Sequence, residues 1–135
     1  MNAEWRLWIR YAEENSQAAA LCFENGLFNA CLQNVQQAVE KSLKALCMAS
    51  GLPMRKTHSI GELIADLRRA GINFGFAEDD IDLLDSVYLP SKYPLGSALP
   101  DFHPDSNLAQ HCLALMNRAF DDVRNRLKTG ANESK

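Results

Sequence analysis

Between Asn29 and Ser50 the apolar and small residues fall at Cys31, Val35, Ala38, Val39, Ser42, Leu43, Leu46 and Ala49. That is the i, i+3/i+4, i+7 spacing of one helix face, sustained for about six turns. The stretch has no Gly or Pro and is rich in strong helix formers. Gly51 and Pro53 predict its end. A second stripe runs up the same helix through Gln33, Gln37, Glu40, Lys41 and Lys44. Glu40 lies one turn ahead of Lys44, the favourable order for an exposed ion pair. The pattern predicts a helix with one side for a core and another, of amides and charges, for something else.

The remaining periodic stretches are helical too. Ala3 to Glu24 carries Trp5, Trp8, Ile9, Ala12, Ser16, Ala19, Ala20 and Phe23 on one face, with Arg6, Arg10, Glu13, Glu14 and Gln17 mostly off it. Two Trp residues near one end suit either a ligand cage or, more often, a core or interface. Asn25-Gly26 is a short stop, which sets the first two helices antiparallel as a hairpin. Ser59-Ile-Gly-Glu62 matches a capping box and opens a third helix with Ile60, Leu63, Ile64 and Leu67 on its stripe. Arg68 and Arg69 fall in its last turn, and Gly71 stops it. Gly61 near its start is a mild cost to helicity. A fourth helix starts near Ala77 with Glu78, Asp79 and Asp80 in its first turn, continues through Ile81, Leu84 and Tyr88, and is ended by Pro90. Leu89 to Pro104 has no helical period, and a loop of that length is usually functional or mobile. Asp105 or Ser106 caps a last helix of about twenty residues, striped by Leu108, Cys112, Leu115, Met116, Ala119, Val123 and Leu127. The expectation is an all-α chain: an up-and-down bundle of four to five helices, with a long loop before the last, forming a single domain over residues 1–128 and a disordered tail over 129–135.

Composition narrows the partners. With 135 residues, 47% hydrophobic, 23% charged and a formal net charge of -3, the chain is an ordinary globular domain. It has no global pull toward nucleic acid or an anionic membrane. No apolar run is long enough to span a bilayer. Glu4, Arg6 and Arg10 near the start are unlike a signal peptide. Cys22, Cys31, Cys47 and Cys112 lie on or near helix stripes with no C-x-x-C spacing, as buried reduced thiols of a cytoplasmic protein would. A disulfide or zinc site is the less common alternative, and His103 and His111 make no metal-ligand spacing. Neither a metal nor another cofactor is expected.

Three segments, in order, carry a likeness to a known family: Gln36-Gln-Ala-Val-Glu-Lys-Ser-Leu-Lys-Ala-Leu46, then Lys56-Thr-His-Ser-Ile60, then Tyr88-Leu-Pro-Ser-Lys-Tyr-Pro94. Together they resemble the HEPN domain family, over roughly Ala19 to the final helix. The resemblance implies a helical bundle, often a homodimer. One group of the family acts as metal-independent ribonucleases. The other works beside a separate minimal nucleotidyltransferase, in pairs of the toxin–antitoxin type. The ribonuclease group carries Arg, four to six residues, then His. Here Arg55 precedes His58 too closely, and His103 and His111 have no Arg at that distance upstream. An atypical pair, Lys92 with His103, is the ribonuclease alternative, with Lys the poorer planar clamp on phosphate. The segment Tyr88-x-x-x-Lys92-Tyr93-Pro94 resembles the Tyr-x-x-x-Arg-Tyr-Pro of the partner-type group, with Lys for Arg.

The expectation is therefore a non-catalytic nucleotide-binding module, for ATP or GTP, that acts with a nucleotidyltransferase. Its candidate nucleotide-binding residues are Gln37, Glu40, Lys41, Lys44, His58, Tyr88, Lys92 and Tyr93. Lys41 and Lys44 suit phosphate and Gln37 a base or ribose; the same stripe equally suits a solvated face or a dimer seam. His58 suits a ligand contact or a backbone hydrogen bond at the loop–helix junction. Lys92 with Tyr93 suits a stacked base and its phosphate, or a packed Tyr and a solvated Lys. RNA is a less favoured ligand. A plain dimeric interaction protein is the third reading.

Overall fold

A computed structural model describes residues 4–87 and 104–133, and among these every regular element is a helix. They are α1 (Trp5–Glu24), α2 (Phe28–Ala49), α3 (Ile60–Arg69), α4 (Glu78–Ser86) and α5 (Ser106–Glu133). Most of the expected proline-rich loop, with Tyr88, Lys92, Tyr93 and His103, lies outside the described residues.

The first three helices stop in the same way. Gly26, Gly51 and Gly71 have φ of 73°, 76° and 87°, the left-handed conformation that glycine reaches without a Cβ penalty. The following apolar residue turns its N–H back five residues, Leu27 to Cys22, Leu52 to Cys47 and Ile72 to Leu67, at 2.8, 2.9 and 2.9 Å. Each turn satisfies carbonyls that the helix end leaves open.

α2 lies at the centre and packs against α1, α3 and α5, while α4 packs on α3. Its buried residues go nearly all the way round: Leu32, Val35, Gln36, Ala38, Val39, Glu40, Ser42, Leu43, Lys44, Ala45 and Leu46 among them. A helix enclosed on most sides buries polar residues that amphipathic reading assigns to solvent. α5 closes the core with Ala109, Cys112, Leu115, Met116, Ala119, Phe120 and Val123. Phe74 and Phe76, from the loop before α4, fill the space beside α3, and Arg68 holds that loop through the Phe74 and Phe76 carbonyls at 3.2 and 3.1 Å.

Some expectations need amending. α5 stays helical to Glu133, so residues 129–133 of the expected disordered tail continue the helix. Extending a formed helix adds a hydrogen bond for each residue fixed and avoids the cost of a new nucleus. On α1, Trp5 and Trp8 are half-buried and Ala20 is exposed. The capping box at α3 forms only half. Ser59 Oγ accepts from the Glu62 N–H at 3.1 Å, but the Ser59 N–H donates to Thr57 Oγ1, and Glu62 faces Arg55 instead. Asp85 of α4 takes over, accepting from the Ser59 hydroxyl and from the Ile60 and Gly61 N–H groups at 3.1, 2.6 and 3.0 Å. A carboxylate at a helix N-terminus meets both unpaired donors and the positive end of the dipole.

Candidate functional site

The candidate residues that the structure describes gather around the middle of α2. Gln36, wholly buried, donates from Nε2 to the His58 carbonyl at 2.8 Å. Its Oε1 accepts from Gln37 Nε2, also at 2.8 Å. One turn on, Glu40 is 3% exposed and uses both oxygens: Oε2 accepts from Lys44 Nζ at 2.9 Å and Oε1 meets His58 Nδ1 at 3.0 Å. Lys44 Nζ also lies 5.5 Å from the Trp8 ring centroid, within cation–π range. The Glu40–Lys44 pair, expected to be exposed, is therefore buried. Trp8 of α1 covers one side of it and the loop before α3 the other, because α2 is central.

His58 is placed from two directions. Gln36 holds its backbone and Glu40 its ring, whose side chain is 64% exposed. Opposite a carboxylate, Nδ1 is the donor of that contact. A junction contact and a solvent-facing imidazole are thus realised at once, since the carbonyl serves the first and the ring the second.

Lys41 belongs to a different track. Its Nζ donates to Asn15 Oδ1 at 2.7 Å, Asn15 Nδ2 donates to Asn34 Oδ1 at 3.0 Å, and Asn34 Nδ2 donates to the Ala30 carbonyl at 2.9 Å. This amide relay follows the α1–α2 seam. Among the described residues it leaves Lys41 half-buried with no carboxylate in ion-pair range. A cation held by a neutral amide keeps its full charge for an incoming anion.

The structure thus brings Gln37, Glu40, Lys44 and His58 into one cluster and sets Lys41 beside it, one residue along α2 from Glu40. Tyr88, Lys92 and Tyr93 lie outside the described residues. Gln36, Trp8, Asn15 and Asn34 complete the arrangement, and sequence reasoning did not single out Gln36 or the two asparagines. Gln36 follows Val35 on the flank of the apolar stripe, where periodicity gives no signal once a helix is buried all round.

Other chemistry is sparse. Among the described residues no group of His, Cys, Asp and Glu side chains could hold a metal ion. All four cysteines are free thiols. Burial pushes Cys31, Cys47 and Cys112 up to about 11, so these thiols stay protonated and inert near neutral pH. A surface cleft of about 510 Å³, lined by Leu52, Pro53, Met54, Arg55, Asp66, Arg69 and Ala70, shares no residue with the polar cluster, and Arg55 and Arg69 there already pair with Asp66. No described helix is long and apolar enough to cross a membrane.

Comparison with known proteins places these features in context. The profile of the HEPN domain matches residues 5–126. The fold is similar to the crystal structure of TT1696 from Thermus thermophilus, at 30% identity and a TM-score of 0.78, covering 93% of this chain and 98% of that one. It is also similar to ST0689, described as an archaeal HEPN homologue, at 24% identity and a TM-score of 0.68, covering 91% of this chain and 97% of that one. No curated protein matches the sequence.

Proposed function

The chain belongs to the HEPN family, and on that premise we propose that it is a nucleotide-binding, non-catalytic member, a homodimer that acts with a minimal nucleotidyltransferase in a pair of the toxin–antitoxin type. The observation that carries this reading is the division of labour around α2. Glu40 neutralises Lys44 beneath the surface and orients His58, whereas Lys41 beside them meets an amide and, among the described residues, no carboxylate. Lys41 then meets phosphate as a point charge. Gln37 and the His58 ring supply polar contacts to ribose or base. Glu40 and Lys44 act from beneath, as positioning residues. Tyr88, Lys92 and Tyr93 join the site by the sequence resemblance alone, as a stacking surface and second cation. The absence of an Arg-x4-6-His spacing favours binding over cleavage.

The test is calorimetric titration with ATP, GTP and a short RNA. Saturable binding of ATP or GTP is expected, weakened about tenfold by Lys41→Ala, which corresponds to roughly 1.4 kcal/mol. Titrations that show no saturable binding, or an affinity indifferent to Lys41→Ala, would defeat the assignment. For the partner, intact mass is measured after incubation with the nucleotidyltransferase and ATP, and after passage of the mixture over a sizing column; neither a mass increase nor co-elution would count against that half of the reading.

A further inference from the structure

The amide relay behind Lys41 has a fixed direction. Ala30, Asn34, Gln37 and Lys41 recur at four-, three- and four-residue steps, so they share one face of α2. Asn15 of α1 meets that face between Asn34 and Lys41. A primary amide accepts at its oxygen and donates at its nitrogen, so its neighbours decide which end points where. The Ala30 carbonyl can only accept. Asn34 therefore turns Nδ2 to it, at 2.9 Å, and leaves Oδ1 for Asn15. Asn15 in turn gives Nδ2 to that oxygen at 3.0 Å, which leaves its own Oδ1 for Lys41 Nζ at 2.7 Å. An ammonium can only donate, so a main-chain acceptor at one end and a cation at the other agree on one orientation of both amides. With either amide reversed, donor would face donor and acceptor would face acceptor.

The charge of the relay matters as much as its direction. Lys41 and Lys44 bring two positive charges and Glu40 one negative, which leaves one positive charge on this stretch of α2. Glu40 matches Lys44, so the remaining charge sits on Lys41. Asn15 holds the ammonium by a hydrogen bond to a charged donor without cancelling that charge. An Asp at the same place would hold it as well and would leave nothing for an incoming phosphate. We infer that Asn15 and Asn34 are positioning residues of the anion site. Asn15 anchors the Lys41 ammonium as a charged contact for a phosphate-bearing ligand. Asn34 acts through Asn15, whose direction it fixes, and the Ala30 carbonyl fixes Asn34. The inference deepens the nucleotide reading and rests on it for the identity of the ligand, whereas the hold on Lys41 is a property of the free protein.

Two readouts keep the two apart. The first needs no ligand: the rate at which acetic anhydride acylates Lys41, read by peptide mass spectrometry, with the fold of each variant checked by circular dichroism. Asn15→Asp is expected to slow acylation of Lys41 about tenfold, because a carboxylate holds the amine in its charged, unreactive form. Asn34→Leu leaves Asn15 free to turn and is expected to speed it about threefold, as the loss of one hydrogen bond would. The exposed Lys56 and Lys128 are the internal standards, and their rates should stay unchanged. A merely structural role for either asparagine would shift unfolding without moving Lys41 against these standards. The second readout is calorimetric titration with ATP, GTP and inorganic tripolyphosphate. Asn15→Asp should weaken binding about tenfold, as Lys41→Ala does. Asn34→Leu should weaken it about threefold in the parent and leave it unchanged in the Lys41→Ala background, since its effect passes through Lys41. Acylation of Lys41 indifferent to both substitutions in folded protein would overturn the inference, whatever the titrations give. Binding that Lys41→Ala weakens and Asn15→Asp does not would overturn the role of Asn15 and leave the nucleotide reading standing. Acylation that responds as expected, with none of the three ligands bound, would uphold the relay as the anchor of Lys41 and overturn the nucleotide reading.

Discussion

Removing the Glu40 carboxylate while keeping Lys44 tests the central feature of the site. Lys44 Nζ lies 2.9 Å from Glu40 Oε2, and the two side chains are 10% and 4% exposed. At an effective dielectric of about 20 the gross attraction at that distance is about 6 kcal/mol, much of it offset by the cost of taking both charges out of water. Glu40→Leu removes the attraction and keeps the Lys44 desolvation, so it should cost about 3–5 kcal/mol. In a domain of this size that is roughly 10–15 °C in Tm. Lys44→Met alone leaves the buried carboxylate and should be of similar size, softened because His58 Nδ1 still meets Oε1. The double variant Glu40→Leu/Lys44→Met leaves no buried charge and should recover most of the loss, giving a coupling of at least about 2 kcal/mol. Urea unfolding of the four proteins supplies the cycle, with unchanged m-values as the check that only stability has moved. If Glu40→Leu lies within about 0.5 kcal/mol of the parent, or the two singles simply add, the pair is not the buried, coupled unit described.

Two further outcomes follow from other parts of the fold. A Cβ on Gly61 would stand 3.2 Å from Asp85 Oδ2 and 3.4 Å from Ile81 Cγ2, and Asp85 is pinned by three donors. Gly61→Ala should therefore cost about 1 kcal/mol where an open helix position would gain a similar amount; a stabilised variant in thermal melts would contradict the close approach. The thiols of Cys31, Cys47 and Cys112 are raised from 9.0 to about 11, by burial first and by Cys22, Asp66 and Cys31 respectively after it. The folded chain thus holds protons that the unfolded chain releases, so their contribution is full below pH 9, declines from there to about 11, and is flat beyond. Cys112→Ala should unfold with a shallower loss of stability across that window, and an unchanged slope would refute the assignment.

The fold was legible because its signals are local. The helices are marked by Gly26, Gly51 and Gly71, by Ser59, and by apolar stripes whose members are buried, such as Val35, Val39 and Leu43. The HEPN resemblance, drawn from the α2 segment, Lys56–Ile60 and Tyr88–Pro94, is matched by a domain profile over residues 5–126. Of the candidate site, the polar and charged residues of α2 were legible one by one and their arrangement was not. Glu40 and Lys44 read as an exposed pair because periodicity reports one helix at a time, and their burial is decided by Trp8 and by the loop carrying His58. Asp85 was invisible for the same reason: its partners lie 24–26 residues away in the chain, at the start of another helix.

The central position of α2 also orders events during synthesis. α1 and α2 are joined by a short turn and can pair as soon as both exist, since their contacts are close in sequence. The face of α2 that α5 covers has no such neighbour until the last helix is made. A chain halted after residue 87 would hold its hairpin and α3 but lack Ala109, Cys112, Leu115, Met116, Ala119, Phe120 and Val123, all buried in the finished core. Until α5 is made, the face of α2 that it covers in the finished fold has no partner from α1 or α3.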